Sequence, residues 1–382
     1  MIYVHIPFCR SFCTYCDFYS EVASRCSGDE QQKFSRFSQA LSREALLRSD
    51  EISGQVNTLY IGGGTPSVLP LSVFEDLLKT LGGCGHAGPF EEFTVEVNPE
   101  DIVEKGPAYV EGLLRMGVNR VSMGVQSFDD GILRWMNRRH DSATARKAYH
   151  ILEDAGVPNI SIDLIFGLSQ LSDSQWNETL DKALDISSKG NLPHHISSYQ
   201  LSVEPESALA CLVDRGEWEE APEELCVRQY AILCDRLRQE GYHHYEISNF
   251  ALPGYEAVHN SAYWSHVPYV GLGPGAHSFL SEAARQWNEG NLGLYLRAGE
   301  SGDFSALQSR EELTEEQLVL EHIMLGLRTS AGLPEAYLRA NCDACALAQA
   351  LACGNLVRQS DGTLRIPESS FFISDSIITS LV

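Results

Sequence analysis

Residues 2–22 read IYVHIPFCRSFCTYCDFYSEV, an apolar, β-branched run stopped by Pro7 and followed at once by Cys9, Cys13 and Cys16. The run has the composition of a buried strand. Thiols at i, i+4 and i+7 just beyond a strand, with aromatics between them, can converge on one inorganic centre if the loop wraps around it. A closed structural zinc site takes four ligands, usually from paired CxxC units, and here only Cys13 and Cys16 form such a pair. An iron–sulfur cluster is normally held by four cysteines, so three leave one iron with an open position for another ligand. The remaining reading is three small loop residues with no ligand at all.

The opening strand is the first of six. VNTLYIGG (56–63), EFTVEVNP (92–99), RVSMGVQS (120–127), NISIDLIFG (159–167) and HHISSYQLSV (194–203) have the same character. Helical spacing of apolar residues marks the segments between them: 34–50, 71–83, 108–117 and 144–156, several ending in Gly. Strand and helix alternating at roughly 30 residues per unit mean right-handed crossovers and a parallel sheet. Six units are fewer than the eight of a closed barrel, so the pattern fits either a partial barrel or a doubly wound sheet.

Beyond this body the sequence predicts a helix over 223–242, a strand over 244–251, and a functional loop in the Gly-, Pro- and aromatic-rich stretch HNSAYWSHVPYVGLGPGAHSF (259–279). GLGPGA (271–276) has a proline inside it and no periodic helix after it, which excludes a dinucleotide fingerprint. From about 311 the pattern changes to three helices, a hairpin turning at Asp361–Gly362 and a last helix, a winged-helix-like arrangement. The expected organisation is a main α/β domain over 1–250, a connecting segment over 251–310 and a small domain over 311–382. Cys342, Cys345 and Cys353 lie in an Ala-rich helical stretch, and we read them as buried helix residues.

Composition narrows the function. The chain has 382 residues, 43% hydrophobic and 21% charged, with a formal net charge of −24. Such a surface repels phosphate backbones, which argues against a nucleic-acid partner and against direct attachment to anionic lipid, leaving membrane contact only through a partner protein. MIYVHIP lacks the basic start of a signal peptide, and no long apolar run spans a bilayer, so the expectation is a cytoplasmic protein. Eleven scattered cysteines do not read as a disulfide framework in a reducing compartment.

CRSFCTYC resembles the CxxxCxxC signature of the radical S-adenosylmethionine (SAM) enzymes. The resemblance implies a partial (β/α)6 barrel, a 4Fe–4S cluster held by Cys9, Cys13 and Cys16, and SAM on the fourth iron, where an electron from the cluster cleaves the sulfonium. It is narrower than the superfamily: YVHIPFC, YIGGGTPS, EVNPE, RVSMGVQSFDD, SIDLIFGL and HNSAYW…YVGLGPGAHSF occur in the order seen in oxygen-independent coproporphyrinogen III oxidases and the related HemW-type heme chaperones. On that resemblance Gly63, Gly64 and Thr65 approach the methionine part of SAM, Glu96, Gln126, Arg138 and Asp163 supply polar contacts to it, and Tyr3 flanks it. Arg139 and His140 stand next to Arg138 and are alternatives to it.

Two departures separate the branches. Oxidases have a further cysteine two positions after the third, where this chain has Phe18, and a long segment ahead of the first strand, which here begins at residue 2. The resemblance therefore implies a chaperone that binds heme and passes it to an acceptor hemoprotein, with an electron donor for the cluster, and His259 of HNSAYW as the candidate heme ligand. His5, His277 and the thiols are its rivals. The alternative is decarboxylation of coproporphyrinogen III.

The cluster reading predicts that protein reconstituted without oxygen holds about four irons per chain, and that Cys9→Ala, Cys13→Ala and Cys16→Ala each lose them. Cys342→Ala and Cys345→Ala should keep full iron content. The reverse pattern in an iron assay would show that the wrong cysteines had been chosen.

Overall fold

The computed structural model describes residues 1–23, 30–53, 57–86, 88–205, 207–281 and 283–382. Val56, the expected start of the second strand, and Cys26 lie outside these residues. The six expected strands are present: β1 (Ile2–Ile6), β2 (Thr58–Gly63), β3 (Glu92–Val97), β4 (Arg120–Gln126), β5 (Asn159–Phe166) and β6 (His195–Gln200). They pair in chain order and all in parallel, with registers such as Ile2↔Leu59, Val95↔Val121 and Ile162↔Ile196. Helices Glu30–Leu47, Leu71–Gly83, Pro99–Arg115, Ser142–Ala155 and Asp173–Leu184 run between them.

Three further strands enlarge the sheet. The stretch expected as a single strand over 244–251 is instead an antiparallel hairpin, β7 (His243–Glu246) and β8 (Asn249–Ala251), of which β8 pairs antiparallel with β6. Its turn is tied by the Glu246 carboxylate, which accepts from the Ser248 amide at 3.1 Å and from the Asn249 side chain. At the other edge β9 (Val270–Leu272) runs parallel to β1, so the sheet order is β9-β1-β2-β3-β4-β5-β6-β8-β7, and it does not close on itself. Periodicity left a partial barrel and a doubly wound sheet open; sequential strand order without reversal gives the partial barrel.

The stretch 259–279 is thus not a loop. It contains the helix Val258–Trp264, β9 and the strand His277–Ser281. The helix begins where it does because Glu92, at the start of β3, accepts from the Val258 amide at 2.7 Å and the His259 amide at 3.1 Å. A carboxylate from a neighbouring strand thereby satisfies two amides that the helix's own sequence does not cap. His277–Ser281 pairs with Ala284–Asn288 and that strand with Gln308–Glu312, an antiparallel sheet whose second and third strands are joined through the helix Leu292–Ser301.

The C-terminal part holds helices Glu315–Gly326, Glu335–Asn341, Ala344–Cys353 and Ser374–Leu381 around short antiparallel strands Leu333–Pro334, Thr363–Arg365 and Val357–Arg358. Here the cysteine reading is corrected. Cys345 and Cys353 are exposed and Cys342 is half-buried, because helix Ala344–Cys353 turns Leu347 and Ala350 inward. No helix among the described residues is long and apolar enough to cross a membrane.

One aromatic cluster joins the site to the rest. Phe37, fully buried on helix Glu30–Leu47, lies edge-on to Phe8 at 5.2 Å, and its other neighbour is Tyr295 of helix Leu292–Ser301 at 6.0 Å. Phe8 immediately precedes the first cysteine, so this packing supports both core and loop. Phe37→Ala should cost about 3–5 kcal/mol, read as a lowered urea midpoint; an unchanged midpoint would contradict the packing described.

Candidate functional site

At the carboxyl ends of β2 to β6 lies a cavity of about 830 Å³ whose walls include Cys9, Cys13 and Cys16. The loop that bears them is closed at both ends. Phe8–Cys9 pairs in parallel with Glu21–Val22, and the Glu21 amide donates to Pro7 O at 2.8 Å. His5 Nε2 donates to Tyr19 O at 2.8 Å, which makes Nδ1 the acceptor for Tyr3 OH at 3.0 Å. In between, the loop rests on the end of the short helix Asp130–Trp135 that follows β4: Thr14 N donates to Met136 O at 3.1 Å, Thr14 Oγ1 to Trp135 O at 2.9 Å and Asn137 Nδ2 to Phe12 O at 2.7 Å. All three thiols are free. Burial pushes the Cys9 thiol up against a hydrogen bond from Thr65, and pushes Cys16 up to about 12.

Gly63, Gly64, Thr65, Glu96, Gln126, Arg138 and Asp163 line the same cavity. The glycines have a role that the sequence did not show. A Cβ on Gly64 would stand 2.8 Å from Ile6 O and Phe8 O and 3.1 Å from Cys9 Sγ, while one on Gly63, at φ +102°, would meet the His5 ring at 2.6 Å. The close approach they permit is to the cysteine loop itself. Glu96 accepts from Tyr60 OH at 2.6 Å and the Gly63 amide at 3.2 Å, and burial raises its carboxyl to about 7. Asp163 accepts from Ser122 Oγ at 3.0 and 3.1 Å; burial raises it too. Gln126 closes β4 with a left-handed backbone, φ +67°. Arg138 donates to Asn98 Oδ1 at 2.6 Å, Gly124 O at 2.7 Å and Cys13 Sγ at 3.3 Å. Of its neighbours, Arg139 also reaches the cavity, whereas His140 is buried between Glu100 and Val125 O.

Tyr3 and His259 are not among the wall residues. Tyr3 stands behind Tyr60, rings 6.1 Å apart. His259 is fully buried, with Nδ1 2.8 Å from Thr58 Oγ1 and Nε2 2.9 Å from Tyr263 OH, and burial lowers its pKa to about 3. Both ring nitrogens are engaged, so ligation of an iron by this imidazole would first require one of these bonds to break. Asn260, the next residue, is the one in HNSAYW that reaches the cavity. His277 is exposed and stacks on Trp287 at 5.9 Å.

Sequence reasoning missed Tyr60, Asn98, Ser122, Ser197 and Tyr199, all wall residues. A signal was there. On β3, β4, β5 and β6 polar residues recur with period two, Glu92, Thr94, Glu96; Arg120, Ser122; Ser161, Asp163; His195, Ser197, within otherwise apolar strands. Alternation inside a strand buried on both faces marks the inner face of the barrel.

The model for the radical SAM superfamily matches residues 3–183. The heme chaperone HemW of Bacillus subtilis is 33% identical over 335 residues, 87% of this chain and 84% of that protein. The heme chaperone HemW of Lactococcus lactis is 34% identical over 87% of this chain and 82% of its own. Among solved structures, the coproporphyrinogen III oxidase HemN of Escherichia coli superposes with a TM-score of 0.80 over 99% of this chain and 89% of its own, at 22% identity, a likeness of fold.

Glu96 makes stability depend on pH with a definite sign. Its folded value of about 7 exceeds that of an unfolded carboxyl, so the native state holds the proton longer and stability falls as pH rises from about 4.5 through 7. Glu96→Gln should flatten that fall by an amount on the order of 3 kcal/mol, seen by comparing urea midpoints at pH 5 and pH 8. Equal slopes in both proteins would show that Glu96 titrates normally.

Proposed function

Because this chain belongs to the radical SAM superfamily and, within it, to the family of the heme chaperone HemW, we propose that it is a heme carrier that holds a 4Fe–4S cluster and SAM and hands heme to an acceptor hemoprotein. The observation that carries the reading is the convergence of Cys9, Cys13 and Cys16 with Glu96, Gln126, Arg138 and Asp163 on one cavity wall. The donor set fits a cluster. Three free thiols share a half-buried loop, a buried guanidinium faces one sulfur and a hydroxyl faces another, and Arg138 Nε is buried without a partner among the described residues.

Bound, the cluster and SAM supply electron transfer and a source of radicals. The chain's own residues do the holding. Cys9, Cys13 and Cys16 would ligate iron and leave one position open. Glu96 and Asp163, carboxylates on the cavity floor, would receive cationic groups of SAM, and Gly63, Gly64 and Thr65 would border its methionine end. Burial raises both carboxyls, and the positive charge of Arg120 offsets part of that shift.

Phe18 supports the carrier over a decarboxylase. It occupies the position where oxidases have a further cysteine, is 62% exposed and borders the cavity, an apolar lip in place of a thiol. Heme release needs an acceptor hemoprotein, and reduction of the cluster needs an electron donor; the reading places all of this in the cytoplasm.

The test is a heme titration beside a turnover assay. Anaerobically reconstituted protein should take up roughly one heme per chain with a Soret band, while coproporphyrinogen III incubated with SAM and a reductant persists. His259→Ala should keep the band, since that ring is bound within the fold. Turnover of coproporphyrinogen without heme uptake would make the protein an oxidase, and loss of the Soret band in His259→Ala with iron intact would make His259 the ligand.

A further inference from the structure

Asn98 stands at the N-cap of helix Pro99–Arg115, yet its side chain caps nothing. An asparagine in that position ordinarily accepts from an amide of the first helical turn. Here the amide group lies in the cavity wall instead, with Oδ1 accepting from Arg138 Nη2 at 2.6 Å and Nδ2 donating to Thr65 Oγ1 at 3.3 Å. The orientation is forced: a guanidinium has only donors, so the oxygen must face Arg138 and the nitrogen must face Thr65. The Asn98 backbone is fixed as well, its N–H donating to Ser67 Oγ at 3.1 Å, and Ser67 in turn to Asp101 at 2.7 Å.

Both bonds lead to sulfur. By accepting from Asn98, the Thr65 hydroxyl keeps its single proton for Cys9 Sγ, 3.4 Å away. Arg138, tied through Nη2 to Asn98 and Gly124 O, turns Nη1 toward Cys13 Sγ at 3.3 Å. One side-chain amide therefore orients a donor on each of two cysteine sulfurs.

We propose that Asn98 is a positioning residue that sets the reduction potential of the cluster, by holding the Thr65 hydroxyl on Cys9 and the Arg138 guanidinium on Cys13. This rests on the reading that these cysteines hold a 4Fe–4S cluster. Reduction adds negative charge that spreads onto the sulfurs, so hydrogen bonds and a buried cation beside them favour the reduced state and raise the potential. Without Asn98 the hydroxyl is free to rotate away and the guanidinium loses its second anchor. The potential then falls.

The experiment is an EPR-monitored redox titration of full-length protein, reconstituted without oxygen and without SAM. Asn98→Leu, which has neither donor nor acceptor, should make reduction about tenfold less favourable, a shift of about 59 mV to more negative potential for one electron. Thr65→Val should give part of that shift and Thr65→Ser should not. In the double variant Asn98→Leu, Thr65→Val the combined shift should fall short of the sum of the two single shifts, because Asn98 acts in part through Thr65. Wild-type iron content with unmoved potentials would overturn the positioning role and leave the cluster standing, whereas absence of iron from the wild-type protein would overturn the cluster reading itself. Should Asn98→Leu fail to hold iron, the Thr65 pair decides: a potential equal in Val and Ser variants overturns the proposal, and one lowered only in Val upholds it.

Discussion

Two backbone hydrogen bonds hold the site together, Gly64 N–H to Ile6 O at 2.8 Å and Thr65 N–H to Phe8 O at 2.7 Å. They continue the β1–β2 ladder past its end and lay the cysteine loop across the tip of β2. Only a residue without a Cβ can stand at position 64, since any other would press on Ile6 O, Phe8 O and the Cys9 sulfur together. The same contact fixes the next one, for with the loop in place His5 is caught between Tyr3 OH and Tyr19 O in a single tautomer. Tyr19 is itself clamped from the far end of the chain, its OH accepting from the Leu292 amide at 2.6 Å.

The second constraint is electrostatic. A lumen that withdraws Glu96 and Asp163 from bulk solvent at the base of the cavity raises both carboxyls, and Arg120 is the buried cation beside them. Arg120 is 1% exposed, with Nη2 3.5 Å from His195 Nδ1 and with Nε and Nη1 unpartnered among the described residues. Burying a charge so sparsely hydrogen-bonded is costly. The cost is offset by the acids it faces, Glu92 first among them. His195 completes the arrangement as a neutral ring: it accepts at Nδ1, next to Arg120 and Ser161, and donates from Nε2 to Tyr245 OH at 2.7 Å.

The parallel strands were legible because each is a short apolar run with turn residues after it, and the local signal agrees with the tertiary outcome. The stretch 259–279 was not. Its helix is capped by Glu92, about 166 residues earlier in the chain, and β9 exists only because β1 has a free edge to pair with. Neither partner is visible in the local sequence. The cavity residues divide in the same way. Cys9, Cys13, Cys16, Glu96 and Asp163 stand out by chemistry and position, whereas Asn98 and Ser122 are ordinary polar residues whose importance comes from what they touch. His259 is the opposite case, a histidine amid aromatics that stands out by chemistry and bridges Thr58 to Tyr263 inside the fold.

Apart from the pairing that closes its own ends, the cysteine loop is fixed by contacts from β2, from the end of the short helix Asp130–Trp135, from helix Ala208–Asp214, whose Leu209 amide donates to Thr14 O at 2.8 Å, and from Leu292. None is local, and such contacts carry the chain-entropy cost of closing long loops before they return any stabilisation. The loop therefore cannot take its final form ahead of the sheet. In small zinc domains the metal supplies the folding energy because too little apolar surface is available. Here a continuous core of buried aliphatic and aromatic side chains runs from Ile2 to Leu381. The order of dependence is thus reversed: the apolar core positions the strands, the strands position the loop, and a metal centre would enter a scaffold already shaped for it.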